Sequence, residues 1–243
     1  MATVQLRFYA LLNDLLAPRH RHQTISHSLV QSTTIKDLIE ALGVPHPEVG
    51  EIWVNGRGVG FDYRVIDGDA IAVYPKATGV PPEVEPHFVV DVNLGKLARY
   101  LRLLGFDCHY RTDGADPELA ALAADEGRTL LTRDRGLLKR RRVALGLFVR
   151  ATQPRAQLVE VVQRLDLFPL IRLGQRCGRC NGIVEPVAKT AIAHRLLPGT
   201  RRDYQDFWRC GNCQWLYWRG SHYCEMLNLI EGLNPREAPP WSV

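Results

Sequence analysis

The chain of 243 residues contains no run of eighteen apolar residues, so no transmembrane helix and no membrane partner are expected. Its opening, Met1-Ala2-Thr3-Val4-Gln5-Leu6-Arg7, lacks a charged segment ahead of an apolar core, so no secretory signal is expected. No internal repeat is visible, which argues against solenoids and propellers. Low complexity is absent too: 46% of residues are apolar and 23% are charged, ordinary usage for a globular protein. A cytoplasmic protein of one large or two small domains is the expectation that remains.

Charge is present but uneven. Residues 1–84 carry 7 Lys/Arg against 9 Asp/Glu, a net −2 in a chain whose total is +5. The basic character therefore belongs to the last two-thirds, where it favours an anionic partner such as nucleic acid. Between the two lies Thr78-Gly79-Val80-Pro81-Pro82-Glu83-Val84-Glu85-Pro86. Three prolines in so short a stretch suit neither a helix nor a central strand, so 78–86 reads as a linker. A second break falls near Phe168-Pro169, after which cysteines gather. The expected division is 1–77, then 87–170, then 171–230, with a flexible tail over 231–243.

In the first module, Val4, Leu6 and Phe8 alternate with polar neighbours, the period of a half-buried strand. A weaker strand is expected over residues 24–30. Ser32-Thr33-Thr34 offers capping hydroxyls for a helix carrying Ile35, Leu38, Ile39 and Leu42, which Gly43 can close. Ile52-Trp53-Val54 runs into Asn55-Gly56, a hairpin signal. Asp67-Gly68-Asp69 leads into a final strand over 70–74. The order β-β-α-β-β predicts a β-grasp, ubiquitin-like domain. His20, His22, His27 and His46 lack the spacing of a metal site and read as solvated surface.

The second module alternates strand and helix, which predicts an α/β domain with a mainly parallel sheet. Ligands of such sheets lie beyond the carboxyl ends of the strands. Asp91 ends the first strand and Asp134 follows the third, while Asp113, Asp116 and Glu118 lie between them. Asp116 also reads as a helix cap ahead of Pro117. Clustered carboxylates repel, and a hard Mg²⁺ or Mn²⁺ relieves that repulsion through oxygen ligands. Lys96, Arg99 and Arg102 recur every three residues on one helix, Arg133 precedes Asp134, and Lys139-Arg140-Arg141-Arg142 follows it. Cations beside an acidic metal site suit a phosphate backbone.

In the third module, Cys177-Gly178-Arg179-Cys180 and Cys210-Gly211-Asn212-Cys213 are two CxxC knuckles, 29 residues apart. Four thiolates from two tight turns suit a structural, tetrahedral Zn²⁺. The spacing exceeds that of an ordinary ribbon and predicts an insert. Trp208, Trp215, Tyr217 and Trp218 crowd the second knuckle, where they either pack a small core or stack bases. Cys108 reads as a buried thiol in a strand.

The stretches "FVVDVNLGKLARYLRLLGFD", "GRTLLTRDRGLL", "RCGRCNG" and "FWRCGNCQWLYWRGSH" resemble the PIN-like RNase family named after the C-terminal domain of the Mut-seven exonuclease. The first module is similar to the sulfur carriers of thiamine and molybdopterin synthesis through "EIWVNG" and "IDGDAIAVYP". The chain runs on past that module without the carriers' terminal Gly-Gly, so an adaptor contacting a protein partner is expected there instead. The family resemblance implies a three-layer α/β/α fold. It also implies a metal-dependent ribonuclease in which Asp91, Asp134 and one of Asp113, Asp116 and Glu118 hold Mg²⁺ or Mn²⁺. RNA is then expected on Lys96, Arg99, Arg102 and Arg133. His222, in the family's "YWxGSH" stretch, either faces that cleft or sits in a core. A non-catalytic RNA-binding adaptor with a zinc ribbon is the alternative.

Overall fold

The structure is a computed structural model and describes residues 2–77, 79, 85–220 and 228. His222, Cys224, the 231–243 tail and residues 78 and 80–84 of the linker lie outside the described residues. Along the chain run β1 (Ala2–Phe8), β2 (Ile25–Leu29), α1 (Ile35–Ala41), β3 (Val49–Val54), β4 (Arg57–Gly58) and β5 (Ala70–Pro75). Then come β6 (His87–Val90), α2 (Gly95–Leu103), β7 (Asp107–His109), α3 (Asp116–Asp125), β8 (Thr129–Thr132), α4 (Arg135–Leu138), β9 (Gly146–Phe148) and α5 (Pro154–Arg164). The last stretch holds β10 (Val184–Val187), α6 (Lys189–Ile192), α7 (Pro198–Asp203), β11 (Phe207–Cys210) and β12 (Leu216–Trp218). These fall into two compact units, Met1–Ala77 with Asp113–Val149, and Thr78–Thr112 with Arg150–Val243. The units cut across the three modules read from the sequence.

In the first unit, β1 pairs antiparallel with β2 and parallel with β5, giving a five-stranded sheet in the order β2-β1-β5-β3-β4. This is a β-grasp-like domain. Alternation does the sorting: Val4, Leu6 and Phe8 are buried while Gln5 and Arg7 are exposed. The Thr34 hydroxyl accepts from the Asp37 amide at 3.2 Å and starts α1. Ile35, Leu38 and Ile39 then join the core. Each such side chain contributes about 1.5–3 kcal/mol on burial. Asn55 and Gly56 both adopt positive φ, +51° and +81°, as a two-residue hairpin turn requires.

The segment 113–149 packs into this same unit, with β8 and β9 paired in parallel. Phe148 packs against the β-grasp core, and its amide donates to buried Glu48 Oε1 at 2.6 Å. The Arg135 guanidinium donates to Leu15 O at 2.7 Å, and Lys139 Nζ donates to Glu40 O at 2.5 Å. His46 differs from the expected solvated histidine. It is 9% exposed, with Nδ1 2.6 Å from Glu40 Oε1 and Nε2 2.8 Å from Val143 O. Glu40 lies six positions away, but Val143 lies 97 positions away, which local sequence does not reveal.

In the second unit, β6 and β7 pair in parallel. Leu94, Leu97, Leu101 and Leu104 form the expected apolar stripe, none more than 1% exposed, and α5 packs against α2. Gly105, at φ +101°, ends the helix. A Cβ there would stand 2.2 Å from Arg172 O, so only glycine lets residue 172 approach. Arg172 N donates to Leu104 O at 2.8 Å and brings the chain round to the cysteine knuckles. No helix among the described residues is long and apolar enough to cross a membrane.

Candidate functional site

Both knuckles are built by one local pattern. Cys177 N bonds Gly182 O at 2.8 Å, and Cys210 N bonds Trp215 O at 2.9 Å. Asn181 N returns to Cys177 O at 2.9 Å, and Gln214 N returns to Cys210 O at 3.1 Å. Asn181 and Gln214 each take positive φ, +68° and +59°. The result places Cys177 Sγ 3.6 Å from Cys213 Sγ and Cys180 Sγ 3.5 Å from Cys210 Sγ. All four sulfurs lie within 4.8 Å of one another. Four soft donors at such spacing fit a tetrahedral zinc site with no open position. Gly182 is part of the fit, since a Cβ there would stand 2.8 Å from Asn212 Cβ and 3.0 Å from Cys210 Sγ.

Tyr217 supports the site from the sheet. Its hydroxyl donates to Cys177 Sγ at 3.0 Å and accepts from Gly178 N at 3.1 Å. Burial opposes ionisation of Cys177. The hydrogen bonds from Tyr217 and from the amides of Cys180 and Arg179 outweigh it and bring that thiol down to about 7. Burial, with the neighbouring sulfurs, pushes Cys213 up to about 12. Burial raises Cys210 as well, so without a cation Cys210 and Cys213 resist becoming thiolates, and a dication removes that obstacle. The 29-residue insert supplies α6, α7 and β11. Ile192, Leu196 and Phe207 from the insert and Leu216 from β12 form a small core, with Val187 and Tyr204 against them.

The ribbon is anchored within its unit through the first knuckle. Asn181 Nδ2 donates to Asp107 Oδ1 at 2.8 Å and its Oδ1 accepts from Cys108 N at 3.1 Å. Arg102 completes the joint. Its Nε and Nη2 donate to Cys108 O at 3.0 and 2.8 Å, and its Nη1 donates to Arg179 O at 3.1 Å. At 5% exposure, Arg102 is a structural tie, which corrects its expected place on RNA. Lys96 and Arg99 of the same helix are exposed, as is Arg133.

Asp91 and Asp134 occupy like positions at strand ends. Asp91 follows β6 and precedes a helical turn, Val92–Leu94, whose last amide bonds Asp91 O at 2.9 Å. Its side chain does not cap that turn, and the residue is 4% exposed. Tyr110, which the sequence did not single out, holds this turn through its hydroxyl, donating to Val92 O at 3.0 Å. Gly95 makes the space, for a Cβ there would stand 2.4 Å from that hydroxyl. Asp134 follows β8 and caps α4: Oδ1 accepts from Gly136 N at 2.6 Å and Leu137 N at 3.3 Å. The Thr132 hydroxyl steadies it by accepting from Asp134 N at 2.8 Å.

The capping role thus falls on Asp134, and the expectation of a cap at Asp116 is corrected. Ala115 is the cap position of α3, and Asp116 stands inside it, 3.8 Å from Arg140 Nη2. Asp113 and Glu118 are exposed. Asp91 belongs to one unit, and Asp113, Asp116, Glu118 and Asp134 belong to the other. Among the described residues the set of three or more metal-ligating side chains that converges is the cysteine quartet.

The Mut7-C RNAse domain model matches residues 86–230, and the Mut7-C ubiquitin model matches residues 1–80. No curated protein matches the chain. Among solved structures, a putative molybdopterin converting factor, subunit 1, from Pyrococcus furiosus is 22% identical, with a TM-score of 0.26. The match covers 32% of this chain and 100% of that one. With its RNase-type region spanning strand-end acids and cysteine knuckles, behind a ubiquitin-like domain, the chain belongs to the Mut7-C RNAse domain family.

Proposed function

We propose that the protein is a metal-dependent ribonuclease that hydrolyses RNA phosphodiester bonds. The observation that carries this reading is Asp91, a carboxylate at a strand's carboxyl end and only 4% exposed, in a chain of an RNase-type family. Asp134 offers a second carboxylate at the matching position on another strand, anchored through Oδ1 alone among its described capping bonds. One of Asp113, Asp116 and Glu118 completes the donor set. These are hard oxygen donors and fit Mg²⁺ or Mn²⁺ rather than a thiophilic ion. Such a cation, when bound, lowers the pKa of a water and offsets charge on the phosphate.

The chain's own residues position the substrate. Exposed Lys96, Arg99 and Arg133 hold phosphate oxygens, and the carboxylates orient the water for attack at phosphorus. A P–O ester bond breaks as the new one forms, and the departing oxygen takes up a proton from solvent. Zn²⁺ in the cysteine site is structural in this reading, and the ubiquitin-like domain offers a surface to a protein partner. The experiment compares labelled RNA with wild type and Asp91→Asn, with Mn²⁺ and with the divalent cation omitted. Cleavage that needs Mn²⁺ and drops at least about 100-fold in the variant is expected. Equal cleavage by the variant overturns the reading. Binding without cleavage under any cation selects the non-catalytic adaptor.

A further inference from the structure

The ribbon's core is made of aliphatic side chains, Phe207 and Tyr204, with the Trp218 ring tilted against both aromatic rings at 6.5 Å. Trp215, just after the second knuckle, is 47% exposed. A large apolar ring left in water by a domain with its own core is an unspent contact surface. Arg179 of the first knuckle lies over this ring, its guanidinium 4.1 Å from the centroid. That stack covers one face of the indole and fixes its orientation. The stack's base is held as well, because Arg179 O accepts from buried Arg102.

Positive charge continues from this stack along the first knuckle and the sheet. Arg99 on α2 packs beside Gly178, with its Cγ 3.4 Å from where a Cβ on that glycine would stand. The exposed basic face of α2 thus continues into the knuckle. Residues 171–220 carry nine Lys/Arg against three Asp/Glu. On β11 and β12, Trp208 and Tyr217 are cross-strand partners. Tyr217 reaches Cys177, so they share the face that carries the first knuckle. There Arg219 lies 5.5 Å from the Trp208 ring centroid. Alternating aromatic planes and guanidinium groups are what unpaired bases and their phosphates stack and pair with. A duplex keeps its bases stacked inside and offers no plane to Trp215.

We propose that Trp215, backed by Arg179, with Arg99 beside the same knuckle, forms a subsite for single-stranded RNA that takes one unpaired base on the indole and adjacent phosphates on the guanidinium groups. It rests on RNA being the ligand, as in the reading above, and extends the phosphate contact given there to Arg99 onto the first knuckle. A ring already oriented loses little side-chain freedom when a base lands on it.

The test uses the zinc-loaded full chain without Mg²⁺ or Mn²⁺, so that binding is read apart from cleavage. The probe is a fluorescein-labelled oligouridine of about ten nucleotides, within the usual range of single-strand sites, followed by anisotropy. Trp215→Ala is expected to weaken binding about tenfold while Trp215→Phe keeps most of it. Arg99→Ala is expected to flatten the log–log salt dependence by about 0.7, while Trp215→Ala leaves the slope unchanged. A duplex of equal length is expected to bind at least about tenfold more weakly than the single strand. Wild-type binding that Trp215→Ala leaves within twofold, with Arg99→Ala equally silent, overturns the subsite. If that protein still cleaves RNA with Mn²⁺, the nuclease reading survives it. If wild type binds through Trp215 yet never cleaves, the subsite stands and the nuclease reading falls. If wild type binds no RNA at all, both fall.

Discussion

Arg102 directs three donors at two backbone carbonyls from a site 5% exposed. Truncation to alanine removes all of them from a buried joint and is expected to cost about 3 kcal/mol of unfolding free energy. Urea denaturation measures it, and Arg99→Ala, from the exposed face, is expected to stay within about 0.5 kcal/mol of wild type. The three-residue spacing of Lys96, Arg99 and Arg102 suggested one shared basic face. Arg102 lies one helical turn beyond buried Ala98 and beside buried Leu101, which places it in the apolar stripe. That signal was present in the spacing. Its carbonyl partner on residue 179 was not, because it lies 77 positions away. Asp91 and Asp134 were legible as strand-end acids, since strand ends follow from apolar runs. Which of the acids caps a helix depended on where α3 begins, with extended Ala115 as its cap position, which composition does not report.

The knuckle is the element at which sequence and structure agree most fully. Each CxxC carries its own turn, so four cysteines sufficed to place a metal site, and the aromatic residues near it did not suffice to assign their roles. Tyr217 became a partner of Cys177 only once β12 was paired with β11. Chelation of zinc is expected to unfold the ribbon and to change near-ultraviolet circular dichroism of its tryptophans. Gly182→Ala is expected to loosen the metal, read as at least about tenfold faster transfer to a chromogenic chelator. Zinc uptake displaces protons from thiols, the Cys213 thiol standing at about 12 in the metal-free site. Affinity therefore falls as pH falls, and competition titrations at two pH values check the sign. Retention of zinc at low pH would contradict it.

At the scale of the molecule, the β-grasp domain and residues 113–149 form one unit, although a proline-rich linker and a change of charge separate them in sequence. Glu48, His46, Arg135 and Lys139 join them by hydrogen bonds. Hydrogen exchange is expected to show β1 and β8 opening in one cooperative step. Glu48→Ala, which leaves the Phe148 amide without its carboxylate, is expected to cost that unit about 2 kcal/mol. Protection that is lost in β8 while β1 stays closed would contradict this. The fold classes of both regions were readable from periodicity. Their packing partners were not, because each contact spans some hundred residues.

Asp134 tests the nuclease account most directly, since one side chain serves both structure and proposed chemistry. Asparagine caps a helix about as well as aspartate, so Asp134→Asn keeps α4 while removing the charge a cation needs. The measurement is Mn²⁺-dependent cleavage of labelled RNA by this variant, beside its thermal unfolding. The account predicts a midpoint within ~2 °C of wild type and cleavage lower by at least about 100-fold. Unchanged cleavage by a folded Asp134→Asn protein would contradict it.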